Sequence, residues 1–419
     1  MYKRVLIITL LLWGLADAYA QGQFSATWVV DGDKVKYENR SHTSLESMEQ
    51  GSSVIYATNG VDLILTKLRM NKTSGSVVDD DRRETGRNSA LLADGGSKVR
   101  LELCDVTSHT TLADGITSSG EGTRVIVQEG SITINRGGSA ALSAIHKGDI
   151  VVQKTNVNTS GNQSPAFLAL DGGSIDVTEV QGLNAGQASP LFHSDGKIVA
   201  TKCRMTAAKW TIGNVEDGQM MLVKNDVKAG GISGFLLYST KTPDVSSVLS
   251  LVDNKISVAE GPLFLVTNND DAQITVKGNS ISCKSKCLME VRSDDWGVKG
   301  ENGGHAKLFV DKQALSGMIF VDSISSLELN LNKGGRLNGQ INDTENRCAE
   351  VHVKIAKGSS WTSKGDSYLT SIEFEQPLAK GLKQLKGKHT IYYDPSDPAN
   401  APLEGKEHKT GGGMLVPLK

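Results

Sequence analysis

One spacing constrains this chain more than any other feature. An apolar residue, four intervening residues and a second apolar residue recur along most of its length. The pair appears as Leu101/Val106, Val127/Ile132, Val152/Val157, Ile175/Val180 and Ala200/Met205. It continues as Leu222/Val227, Leu251/Ile256, Val276/Ile281 and Val310/Leu315, with Leu65/Met70 upstream. First positions lie 22 to 26 residues apart, with later steps of 29 and 34. On a straight strand, residues five apart point to opposite faces. Both members are apolar, so the chain must bend between them for both to face a core. Gly130, Asn225, Asn254 and Asn279 lie inside these segments. Gly and Asn tolerate the left-handed conformation that such a bend requires.

A third apolar slot completes each repeat. It reads Leu91-Leu92, Ala141-Leu142, Phe167-Leu168, Leu191-Phe192, Phe235-Leu236, Phe264-Leu265, Leu288-Met289 and Ile319-Phe320. Three short strands per repeat is the unit of a parallel β-helix, in which each coil buries its inward row against the next. The expected fold is therefore all-β: a single-stranded right-handed parallel β-helix of about 10–12 coils, each of roughly 25 residues. Composition agrees. Among 419 residues there are 45 Gly but 9 Pro, and aromatics make up only 5%. That mix suits a turn-rich stack better than an ordinary large core. A propeller would need four strands per repeat of 40 to 50 residues.

Residues 1–20 read as an export signal. Lys3 and Arg4 precede an apolar run of eleven residues, Val5 to Leu15, and Ala18-Tyr19-Ala20 supplies a small-x-small cleavage site. That run is too short for a bilayer, which needs about 20 apolar residues. No second long apolar run follows, so no transmembrane segment is expected after cleavage. The expected destination is the periplasm, the cell surface or the medium. Residues 21–60 are expected to cap the stack, 61–345 to form its coils, and 346–419 to add the last coils and a C-terminal cap. The net charge of −2 gives no basic field for nucleic acid. The cysteines are odd in number, and Cys283 and Cys287 are close enough in sequence to bridge a tight turn.

Three segments depart from the repeat, and loops on a rigid scaffold are where function concentrates. Residues 71–89 contain Asp79, Asp80 and Asp81 beside Arg82 and Arg83. Residues 292–305 contain Asp294, Asp295, Trp296 and His305, and residues 241–246 form a smaller insertion. Asp79 to Asp81, or Asp270 and Asp271 after Asn268-Asn269, could offer oxygen ligands to calcium. A run of this kind is ordinarily a hydrated turn. Trp296 offers an aromatic face for a sugar ring, with Asp294, Asp295 and His305 as polar neighbours. Trp210 and Trp361 fit packing at strand ends better.

Several segments resemble a family of exported bacterial and archaeal β-helix proteins described as adhesin-like. They are Glu260 to Asn268 (EGPLFLVTN), Asp295-Trp296-Gly297 with Asn302-Gly303-Gly304, Val321 to Ser326 (VDSISS), and Gly365 to Thr370 (GDSYLT). The resemblance implies a parallel β-helix at the cell surface with no established activity. The expected function is binding of an extracellular glycan or another surface component, without catalysis. A polysaccharide lyase or glycoside hydrolase on the same scaffold is the alternative, and a structural spacer is another. Polygalacturonase-like enzymes carry Gly-His-Gly and Arg-x-Lys segments; here His305 follows Gly303-Gly304 but precedes Ala306.

Overall fold

The computed structural model describes residues 24–75, 85–240, 246–346 and 349–419. The proposed signal at 1–20 and Asp79, Asp80 and Asp81 lie outside the described residues. The chain is a right-handed parallel β-solenoid of about 15 turns with coils of roughly 25 residues. One coil illustrates the unit: Leu142–Ile145 on a first face, Asp149–Gln153 on a second and Asn156–Thr159 on a third. Each strand pairs in parallel with its counterpart one coil on, at Phe167–Ala169, Ser174–Thr178 and Gln181–Asn184. The first face alone is a 12-stranded sheet.

The five-residue pairs sit where the bend argument requires. Leu101, Val127 and Val152 stack in register on the second face, as do Val106, Ile132 and Val157 on the third. Leu65 and Met70 extend both rows. All of these side chains are buried. One pair is displaced. Val177 and Gly182, not Ile175 and Val180, continue the two rows. Gly182 has no side chain to mark its inward slot, so the apolar pattern pointed two residues early.

The bend itself corrects a second expectation. The left-handed residue is the one before each asparagine: Lys224 (φ 57°), Asp253 (φ 55°) and Gly278 (φ 66°). Lys154, Glu179 and Lys202 hold the same place in earlier coils. The asparagines point inward instead. Asn225, Asn254 and Asn279 form a buried ladder, and Gln313 closes it by accepting from the Asn279 backbone N–H at 2.5 Å.

The stack is longer than the 10–12 coils expected, because both ends contribute. Ser25–Asp31, Tyr37–Ser41 and Ser44–Ser47 pair in parallel with Ser52–Thr58, Asp62–Thr66 and Arg69–Lys72. The first coil thus begins inside the stretch expected to cap it. At about 4.8 Å per coil the rod is about 70 Å long. The C-terminal end closes differently. Met414–Pro417 pairs in parallel with Thr390–Tyr393 and antiparallel with His408–Lys409. No helix among the described residues is long and apolar enough to cross a membrane.

Cys104 and Cys203 are buried free thiols, and Cys283 and Cys287 are free as well. The Cys283 thiol donates to the Cys287 carbonyl at 3.3 Å rather than bridging to its sulfur. Trp361 is fully buried, with its indole N–H donating to the Gly339 carbonyl.

Candidate functional site

Both later insertions fall, in sequence, between a first-face strand and the next second-face strand. Residues 241–246 follow the first-face strand Phe235–Tyr238, and residues 292–303 follow Cys287–Val291. These insertions account for the steps of 29 and 34. Backbone bonds tie neighbouring coils together here. Ser239 N–H donates to the Asn268 carbonyl, and Asn268 N–H to the Asn302 carbonyl.

The first-face strands rest on an aromatic ladder in the core. Phe167 stacks on Phe192, and Phe235 on Phe264, with centroids 5.3 and 6.0 Å apart. Gly213 occupies the intervening slot, and a Cβ there would meet the Met220 sulfur at 2.6 Å. Packing of this density leaves the outward residues little freedom.

On the outward side, His193, Glu216 and Tyr238 project from three consecutive coils. Glu216 pairs directly with Tyr238 in the strand register. Its carboxylate meets His193 Nε2 at 2.8 Å and accepts from the Tyr238 hydroxyl at 2.7 Å, both at Oε2. Thr240 Oγ1 donates to Oε1 at 2.6 Å. Burial works to raise the pKa of this group. The His193 hydrogen bond and charge, with the two hydroxyls, outweigh it and hold the carboxyl at about 2. Glu216 is thus a fixed anion. Three of its roughly four acceptor positions are used.

Trp296 joins this cluster through Tyr238. Its ring meets Tyr238 edge-on, with centroids 5.1 Å apart and planes at 82°. Edge-to-face pairs of this kind are favourable. Asn302 holds the loop by donating to the Asp294 and Trp296 carbonyls at 2.6 and 2.7 Å. Gly297, at φ +82°, lies so close to Asn268 that a Cβ would come within 2.4 Å of Asn268 Oδ1. Trp296 is half-buried.

Asp294 has a local task. Its carboxylate meets Arg292 Nη1 at 3.3 Å, while Arg292 Nε donates to Glu290 at 2.9 Å. Burial alone would lower the basicity of this guanidinium, but the two carboxylates raise it above its usual value. Asp295 is exposed.

Asp270, Asp271 and His305 gather separately, on the second-face side. A bulge between Asn269 and Ala272 sets Asp270 and Asp271 opposite the His305 strand. Asp271 accepts from Ser246, Gln273 and Lys307 at 2.6 to 3.0 Å. Burial would raise its pKa, but these donors hold it below the ordinary value. A cation at Asp271 would have to displace that lysine. His305 bonds to Ser326 through Nδ1 at 2.8 Å. Among the described residues, no group of three or more His, Cys, Asp or Glu is arranged to hold a metal ion.

The sequence singles out Trp296 but not His193, Glu216 or Tyr238, the last of which links it to the other two. Each directly follows an inward apolar residue, Phe192, Val215 or Leu237. Aligning the coils by register rather than by apolar pairs would have placed them side by side. Comparison with known proteins finds no match to a family model, a curated protein or a solved structure, so the resemblance to adhesin-like β-helix proteins rests on the sequence segments alone.

Proposed function

We propose that this chain is a non-catalytic binding solenoid, exported to the cell surface or beyond. Its corner at Trp296 anchors an extended glycan or a similar surface component. One observation carries the reading. Trp296 is held edge-on to Tyr238, whose hydroxyl is bonded to Glu216, itself bonded to His193. A half-buried indole suits the apolar face of a sugar ring, and the bonded Tyr238 and Glu216 hold it in place. Rings held in place before binding lose little freedom on binding.

The same geometry argues against acid catalysis here. A glycosidase acid must carry a proton near neutral pH, and it works with a second carboxylate. Glu216, ionised down to about pH 2, carries none there.

The test is a panel of soluble uronic-acid and neutral glycans. Binding is measured by calorimetry, and cleavage by release of reducing ends or unsaturated uronates. The expected result is binding to at least one glycan without products. Products from any glycan would move the assignment to a lyase or hydrolase. Neither binding nor products would leave a structural spacer.

A further inference from the structure

We propose that the bend between the second and third faces forms a separate groove that binds a linear acidic glycan. This site shares no residue with the Trp296 corner and goes beyond the reading given above.

The groove follows from the bend. One left-handed residue turns each coil: Lys154 (φ 49°), Glu179 (φ 56°), Lys202 (φ 55°) and Lys224 (φ 57°) in succession. That conformation repeats at each coil, so these side chains emerge as a row. Arg204 flanks the row, in strand register with Gln181 and Asp226 on either side. Together these residues line a groove of about 590 Å³.

Its charge is unlike that of the whole chain. The protein carries a net −2, yet the groove holds four cations against two carboxylates. Each carboxylate has a lysine partner, Glu179 with Lys202 at 3.5 Å and Asp226 Oδ2 with Lys255 at 3.4 Å, while Asp226 Oδ1 is buried without a hydrogen-bond partner. Lys154, Arg204 and Lys224 have no carboxylate within ion-pair distance among the described residues. Three uncompensated cations on neighbouring coils attract a polyanion, and Arg204 can grip a carboxylate or sulfate with two parallel bonds.

Spacing and lining select the class of polyanion. Coils repeat at about 4.8 Å, close to the advance per sugar in an extended pyranose chain. Asn156 and Gln181 add amides suited to sugar hydroxyls. No aromatic residue lines the groove. Single-stranded nucleic acid sites rely on aromatic stacking, so an acidic glycan fits better.

The test compares the full-length protein with the triple variant Lys154→Gln, Arg204→Gln, Lys224→Gln. Probes are heparin, polygalacturonate, dextran and single-stranded DNA. All three side chains are exposed, so the variant should fold like the parent, checked by its thermal midpoint. The parent should bind heparin or polygalacturonate more tightly than dextran, with affinity falling as salt rises. The triple variant should lose about tenfold or more of that affinity. A control triple, Lys357→Gln, Lys364→Gln, Lys388→Gln, should lose little. Trp296→Ala should keep polyanion binding, which separates this site from the first. No binding to either polyanion at low salt would overturn the proposal. So would equal affinity in the triple variant, equal loss in the control, loss in Trp296→Ala, or tighter binding of DNA than of both polyanions.

Discussion

Asn225 and Asn254, one coil apart, are joined twice: the backbone N–H and the side-chain amide of Asn225 both donate to Asn254 Oδ1, at 2.9 and 3.0 Å. The Asn254 amide also donates to the Leu222 carbonyl at 2.8 Å. Asn254→Ala would strand the Asn225 N–H and the Leu222 carbonyl and leave the Asn225 amide with the Ala200 carbonyl alone; each buried unpaired group costs about 1–3 kcal/mol. The expected loss is about 3–5 kcal/mol in denaturant unfolding, with a lower thermal midpoint. A change under about 1 kcal/mol would mean that the ladder is not a main support of the bend.

Gly182 is expected to resist substitution for a different reason. A Cβ there would lie 1.8 Å from the Val157 carbonyl of the preceding coil, and the Met205 methyl already fills the adjoining space. Gly182→Ala should force adjacent coils apart and cost about 1–3 kcal/mol. The same substitution at Gly96, where no atom lies within 4 Å of the added Cβ, avoids that clash but strains a backbone at φ +75°. Unfolding midpoints of the two variants, measured side by side, distinguish inter-coil crowding from backbone strain.

Lys72 should make stability rise with alkaline pH. Its side chain is fully buried and donates to the Ser52 and Glu49 carbonyls and to the Ser47 hydroxyl. Burial lowers its basicity from 10.5 to about 8. The unfolded chain therefore holds this proton more tightly than the folded one between pH 8 and 10.5. Unfolding free energy should climb across that window, by up to about 3 kcal/mol. Lys72→Met should flatten the climb and lower stability at pH 7, because three acceptors lose their donor. A climb that persists in the variant would assign it to another group.

Glu216 should act in the opposite direction, at acid pH. Its folded value of about 2 lies below the ordinary 4.5. Its contribution is complete above about pH 4.5 and disappears as pH falls toward 2. The parent should therefore lose up to about 3 kcal/mol more than Glu216→Gln between pH 5 and 2. The two proteins should converge near pH 2. Parallel acid denaturation curves would show that the His193 and hydroxyl bonds add nothing net.

Much of the fold was legible because stacking repeats one demand in every coil. The Leu101/Val106 spacing and the Phe167 and Phe264 slots reflect that demand directly. Reading failed where a side chain was missing or its role was hidden. Gly182 left its slot unmarked, and the asparagines looked like bend residues while serving as inward ladder rungs. The first coil escaped notice because one of its inward rows carries charged residues, Glu38 opposite Leu63 and Arg40 opposite Leu65. The Trp296 loop was visible as an interruption. Its partners His193, Glu216 and Tyr238 were not, because only the coil register brings residues 45 positions apart into contact.

The most direct measurement is the affinity of Trp296→Ala for whichever neutral glycan the parent binds best, with Trp296→Phe alongside. The aromatic anchor predicts a loss of about tenfold or more in the alanine variant, at an unchanged thermal midpoint. It predicts that phenylalanine restores most of the affinity. Equal affinity in all three proteins would contradict a binding site at this corner.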